Sequence, residues 1–297
     1  MTEITLPAKT GKPVDLEIGS LEVPGMPGHT HSWGFPTLDA LSGGLRKGSL
    51  TLIRDQGMNI DQLLHAFLIN FTINKNLRTA LVVPGNHSFN EPIVPELTNL
   101  LIGRDPSEYL DRANPGVRKA YFKARGKIKR SKLSIHHNFL TIEELEKHLD
   151  KLENRESREE IPEVILVFSP DKFETEREVN NRNATYAALL AHLKDFTVKT
   201  STAVILLESC ISGPQGANLK HVDTLIEILY LPWEILVKYG GPKPKEEHFF
   251  ELNMSINSHG PTGNAPIRFI IDEYGMREGP WDWGKESLIS FESKSQD

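Results

Sequence analysis

The sequence predicts an α/β fold: a three-layer sandwich with a largely parallel central sheet and an antiparallel extension at its C-terminal end. Three observations predict it. Short, continuously apolar runs at residues 49–53, 79–83, 162–168 and 203–207 read as strands buried on both faces. Longer segments of helical period separate them, the alternation that a parallel sheet needs for its crossovers. The last third changes character, with strands at 224–231, 247–256 and 267–272 joined by turns bearing Gly and Pro.

Each element has its own signal. Residues 1–33 are rich in Pro, Gly and Thr, lack an apolar period, and read as an extended arm. One domain spans 34–279, and 280–297 form a tail. Within the domain, 35–41 predict a short helix, 42–48 a turn, and 49–53 the first buried strand. A helix at 62–74 leads to the second strand, 79–83. Residues 91–103 predict a helix, 106–132 a polar helical excursion, and 132–136 a short strand. Thr141-Ile-Glu-Glu144 has the capping-box form, a hydroxyl acceptor with a carboxylate three residues on, and opens an amphipathic helix to 152. Leu189, Leu190, Leu193 and Phe196 share one side of a helix at 185–198, ahead of the strand 203–207.

Composition narrows the class. A chain of 297 residues, 38% hydrophobic and 25% charged, describes an ordinary globular protein. It has no apolar run long enough to cross a bilayer and no signal-peptide pattern at its start, so a cytoplasmic protein without a membrane partner is expected. The single cysteine, Cys210, has no internal disulfide partner and is expected to pack as a small hydrophobe. A net charge of -6 argues against coating nucleic acid through bulk electrostatics. Residues 118–132 nevertheless carry eight cations, Lys127, Lys129 and Arg130 among them, against an acidic stretch at 143–160. This basic segment reads either as a solvated helix face or as a nucleic-acid contact. The pairs His29 with His31 and His136 with His137 lack the spacing of a closed zinc site, so no metal is expected.

The stretch from Gly48 to Asp61 has the shape of a strand entering a phosphate-binding loop. A working loop of the form G-x-x-x-x-G-K-[ST] needs glycines for close backbone approach, a lysine to neutralise charge, and a hydroxyl for magnesium. Those four places hold Arg54, Asn59, Ile60 and Asp61, and Gly57 is the one glycine left in the loop. Ile60 offers no cation, and a carboxylate at Asp61 repels a triphosphate where a hydroxyl should sit.

These residues, with Gly34-Phe-Pro-Thr-Leu-Asp-Ala-Leu-Ser-Gly-Gly-Leu-Arg-Lys-Gly-Ser-Leu ahead of them and Gly260-Pro-Thr-Gly263 near the end, resemble the RecA-like motor domain of DnaB-type replicative helicases, and more loosely the RecA and KaiC group. The resemblance runs from about Gly34 to Arg277. It implies a RecA-like sandwich and a set of working positions, each altered here. The family's general-base glutamate falls at Asn86 and its magnesium-organising aspartate at Phe168, with Asp171 three residues on. Its sensor glutamine maps near Ser209, and its finger lysine and arginine near Ile256 and Ser258, with Arg268 beyond the turn. An arginine finger alone contributes about 10³ to 10⁵ in rate.

The resemblance implies three function classes. The leading one is a non-catalytic oligomer, a ring or filament, acting as a scaffold or DNA-associated factor with replication or recombination proteins, and taking no cofactor. Such a chain suits a phage replication system, working in the host cytoplasm. The second is a surviving ATPase or helicase using ATP and magnesium, with Lys47 or Arg54 supplying charge and Asp171 holding the metal. The third is a pure protein-binding module. Two loops expected to line the family's central channel, 171–183 and 211–220, supply Lys172, Arg177, Arg182 and Lys220 as candidate nucleic-acid contacts.

Overall fold

The structure, a computed structural model, describes residues 30–56, 60–85, 93–103, 115–139, 141–154, 157, 160–175, 182–209, 218–230, 248–260, 262–272 and 275–279. The sequence readings at Gly57, Asn59, Asn86, Arg177 and Cys210 lie outside the described residues. So do the arm as far as residue 29 and the tail.

Among the described residues, nine strands form one sheet. In chain order they are β3 (Leu50–Asp55), β4 (Thr79–Pro84), β5 (Leu133–Phe139), β6 (Val164–Phe168), β7 (Ala203–Ser209), β8 (Thr224–Tyr230), β9 (His248–Asn257), β10 (Gly263–Asp272) and β11 (Gly275–Glu278). Across the sheet their order is β11-β10-β9-β8-β3-β7-β6-β4-β5. The six from β8 to β5 run parallel, and β9, β10 and β11 add antiparallel strands, as the change of pattern in the last third predicts. The central strand β3 lies between β7 and β8, so its C-terminal end is flanked on both sides by strand ends pointing the same way.

Period-two alternation then assigns faces. Ile53, Leu81, Val83, Leu166, Phe168 and Leu207 pack with α1 (Pro36–Ser42), α2 (Ile60–Leu68) and α3 (Ile93–Ile102), whereas Leu50, Leu52, Val82, Val167 and Leu206 pack with α5 (Ile142–Glu153) and α6 (Arg182–Thr200). Ile128 of α4 (Pro115–Arg130) joins the first layer. Helices on both faces of a mostly parallel sheet make the three-layer sandwich. At the start of α5 the capping box forms as its sequence requires: Glu144 N–H donates to Thr141 Oγ1 at 3.2 Å, and Thr141 N–H to Glu144 Oε2 at 3.2 Å.

Three features differ from the sequence reading. Trp33, placed in the arm, is buried, its Nε1 donating to Ser42 Oγ at 2.9 Å and its ring tilted against Phe67. One indole buries more apolar area than most side chains, which outweighs the polar composition around it. Just before it, β1 (Thr30–His31) pairs antiparallel with β2 (Leu45–Arg46), so part of the expected 42–48 turn is a strand, too short to show a period. The helix expected at 62–74 widens after α2 into a π-helical stretch, Ile69–Asn74, where Thr72 Oγ1 donates back to Leu68 O at 2.5 Å.

The Gly34 segment is held by a small polar knot. Asp39 accepts from Trp33 N–H at 2.8 Å and Ser32 Oγ–H at 2.6 Å, and Asn70 Nδ2 donates to Ser32 O at 3.0 Å. Gly34 has φ +87°, and a Cβ there would lie 2.8 Å from Asn70 Cγ, so both conformation and space demand glycine.

Candidate functional site

In an open α/β sheet, ligands bind outside the carboxyl ends of the parallel strands. At that edge the structure gathers Arg54 and Asp55 from β3, Glu208 and Ser209 from β7, Phe168 from β6, and Ile60 with Asp61 at the start of α2. Arg54 pairs in register with Glu208, and Asp55 with Ser209.

Arg54 does not turn towards α2. Alternation along β3 sends it to the face covered by α6, where its Nε lies 2.5 Å from Glu208 Oε1. The other carboxylate oxygen, Glu208 Oε2, accepts from Tyr186 Oη on α6 at 2.5 Å. Glu208 is wholly buried and the Arg54 side chain only 17% exposed. Burial raises the Glu208 pKa, and the hydrogen bonds from Tyr186 and Arg54 only partly offset it. Burial and the neighbouring Glu208 charge push the Tyr186 hydroxyl well above its ordinary range. The register of β3 against β7 brings Glu208 level with Arg54 and makes it a partner.

A second polar group lies beside the first. After β6 the chain passes through Ser169 at φ 48° into a single 3₁₀ turn, Pro170–Lys172. The Asp171 side chain is 1% exposed, with Oδ2 3.4 Å from an Arg182 Nη and 3.5 Å from Lys172 Nζ. Two of the cations expected in the channel loop are therefore engaged by the carboxylate proposed as a metal ligand. Phe168, where the resemblance places a carboxylate, is 1% exposed and packs on the α2 and α3 side. Ile60 is half-buried against the same cluster, and Asp61 is exposed.

Other candidates stand at the opposite edge. Lys47 is exposed and precedes β3, which runs six residues to its carboxyl end, or roughly 20 Å at about 3.3 Å per residue. It therefore cannot supply charge to its own chain's loop. Ile256 and Ser258 end the antiparallel β9 beside the start of β8, where Ser258 N–H donates to Asp223 O at 2.8 Å. Residues at this edge can meet a strand-end loop only on another subunit. Lys220 precedes β8 at the same lower edge, so the sheet separates it from Lys172 and Arg182. Its backbone N–H donates to Asn218 Oδ1 at 3.1 Å. Lys127, Lys129 and Arg130 are carried on α4. Arg268 lies within β10.

Glu208 and Tyr186 were missed from the sequence, although a signal exists. Leu52-Ile53-Arg54 and Leu206-Leu207-Glu208 each end an apolar run with a charge of opposite sign, which adjacent parallel strands bring level.

A mostly parallel sheet of this order, with helices on both faces and an antiparallel extension, is a RecA-like α/β sandwich. Solved structures agree. A DnaB-like replicative helicase described with its primase interactions superposes at TM-score 0.61 and 14% identity over 82% of this chain and 61% of that one, so the chain spans less than two thirds of that helicase. A second solved structure, described as an ATPase domain, superposes at 0.62 and 14%, covering 85% of this chain and 93% of that one. The KaiC-like protein PH0186 of Pyrococcus horikoshii superposes at 0.55 and 12%, covering 86% and 100%. No protein-family model matches the chain, and no curated protein matches it in sequence. Among the described residues no helix is long and apolar enough to cross a membrane.

Proposed function

We propose that this chain is a non-catalytic RecA-like protein that keeps the helicase fold for assembly, acting as an oligomeric scaffold or nucleic-acid-associated factor in DNA replication or recombination. The buried Arg54–Glu208–Tyr186 group carries the reading. A phosphate-binding loop needs mobile positive charge at the end of its strand, and the cation at this strand end is neutralised on the other sheet face. Ile60 and Asp61 at the start of α2 supply neither the lysine nor the hydroxyl that a triphosphate with magnesium requires. The residues present do not fit that ligand.

Assembly is supported by the fold's geometry. The positions corresponding to the family's finger residues lie at the edge away from the chain's own loop, so they face a loop only in a head-to-tail contact, which closes into a ring or propagates as a filament. Two measurements test the proposal. Titration calorimetry with ATP and magnesium is expected to show no binding heat, and light scattering at micromolar concentration a species larger than one chain. Saturable Mg-ATP binding with turnover would return the protein to the ATPases, and a strict monomer with and without DNA would remove the scaffold role.

A further inference from the structure

Helix α4 carries a two-rowed cationic surface that no described residue neutralises. The sixteen-residue segment Pro115–Arg130 contains no Asp or Glu. Val117, Ala124 and Ile128 form its buried stripe, and at about 3.6 residues per turn the charges divide on either side of the outward face. Arg118, Arg125 and Lys129 make one row; Lys119, Lys123 and Arg130 make the other. All six lie outside the buried stripe, and none forms an ion pair with the described residues. Between the rows runs a strip holding Phe122, 55% exposed, and Gly126. The Arg118 guanidinium lies 5.7 Å from the Phe122 ring centroid, and the Arg130 guanidinium reaches back over Gly126.

We infer that the outward face of α4 binds single-stranded nucleic acid, with a phosphate backbone between the cationic rows and a base stacked on Phe122. This deepens the nucleic-acid side of the proposed function and rests on it. The rows extend over about 18 Å at 1.5 Å per residue, enough to follow a few phosphates of one strand. An aromatic ring between the rows has no use for a duplex, whose base faces are already stacked, whereas an unpaired strand offers a π-face to it. An anionic membrane fits less well, because insertion needs an apolar stripe and that of α4 is already turned into the domain. With the whole chain at -6, a polyanion is repelled everywhere except at such a patch, so binding is local and falls steeply with salt.

The test is fluorescence anisotropy of a labelled oligodeoxythymidine of about 30 nucleotides against the full chain at several salt concentrations. Lys123→Glu with Lys129→Glu is expected to weaken binding at least about tenfold and flatten its salt dependence. Phe122→Ala is expected to weaken it about fivefold or more while leaving duplex binding unchanged. Lys147→Glu with Lys151→Glu, an equal charge change on exposed α5 residues, is expected to have little effect. Lys119→Gln with Lys123→Gln replaces the reversal should that variant fail to fold. Wild-type affinity in the α4 variants, an equal loss in the α5 control, or capture by anionic vesicles without oligonucleotide binding would each overturn the assignment. So would a loss confined to Lys220→Glu, which would leave the proposed function standing. The calorimetry and light scattering above test that function without reference to α4.

Discussion

Arg54 and Glu208 stand level on neighbouring parallel strands, Nε to Oε1 at 2.5 Å, at the carboxyl edge where a RecA-like fold handles its ligand. The pair turns to the α6 face, and Tyr186 closes the carboxylate from that side. What would be a mobile cation beside a phosphate loop is here part of the interlayer packing.

Cutting the pair should therefore appear first as lost stability. A buried ion pair deprived of one member typically costs about 3–5 kcal/mol. Arg54 retains some access to water, so Glu208→Ala is expected nearer about 2–3 kcal/mol, with the Tyr186 hydroxyl losing its acceptor as well. Urea unfolding measures it. Arg54→Met combined with Glu208→Leu should recover most of the loss, since an apolar pair has no charge to desolvate. An unchanged midpoint for Glu208→Ala would mean that the contact carries no energy.

Acid should stabilise the fold through its buried carboxyls. Burial raises the pKa of Glu278, and the Asp39 charge adds to it, against two hydrogen bonds that Thr37 donates to its carboxylate. Asp39 and Glu208 shift the same way, burial leading in each. A carboxyl raised above its unfolded value binds more protons in the folded state, so its contribution is fully present below the unfolded value and is lost as pH rises through the folded one. The window opens at about 4.5 and extends upward. His31, lowered chiefly by burial, acts in the opposite sense below its ordinary 6.5. From about pH 4.5 upward the wild-type urea midpoint is expected to fall relative to that of Glu278→Gln, a difference from which the opposing His31 and His259, both lowered by burial, cancel. A slope identical in Glu278→Gln would remove Glu278 from the account.

How much of this was readable follows from which forces act along the chain and which across it. The continuous apolar runs announce β3, β4, β6 and β7, because burial on both faces favours apolar side chains along the middle of each strand. Thr141 and Glu144 announce their helix because a cap is a local bond. Nothing local marks Leu45–Arg46, whose two-residue pairing depends on Thr30–His31 lying beside it. The Arg54 partner was hidden for the same reason: Glu208 is 154 residues away and becomes level only through strand register. Lys47 and Arg54 look equivalent in sequence, yet β3 carries them to opposite edges of the sheet.

Gly34→Ala should show that the segment resembling the helicase lead-in is architectural. The substitution meets both a left-handed φ of +87° and Asn70 Cγ at 2.8 Å. A non-glycine residue in that region costs about 1–2 kcal/mol before any clash, so a total of about 2–4 kcal/mol is expected in urea unfolding. Adding Asn70→Ala relieves the overlap but not the backbone strain, and should restore part of the loss only. Full restoration would assign the requirement to space alone.

Rebuilding the loop separates binding from chemistry. Asn59→Gly, Ile60→Lys and Asp61→Thr together restore the second glycine, the charge and the hydroxyl of a phosphate loop leading into α2, and leave Arg54 in its pair with Glu208. Lysine is tolerable at position 60, since Ile60 is only half-buried and a four-carbon stem can follow its apolar path with the ammonium outward. Calorimetry should then detect Mg-ATP where the parent shows none. Turnover should remain at background, because Phe168 leaves the strand end beside the loop without a carboxylate, and Asp171 is held by Arg182 and Lys172. An absent general base alone withholds about 10² to 10⁴ in rate, and an absent finger withholds about 10³ to 10⁵ more. Hydrolysis by the triple variant would place the missing catalytic groups elsewhere in the chain and count against the scaffold reading.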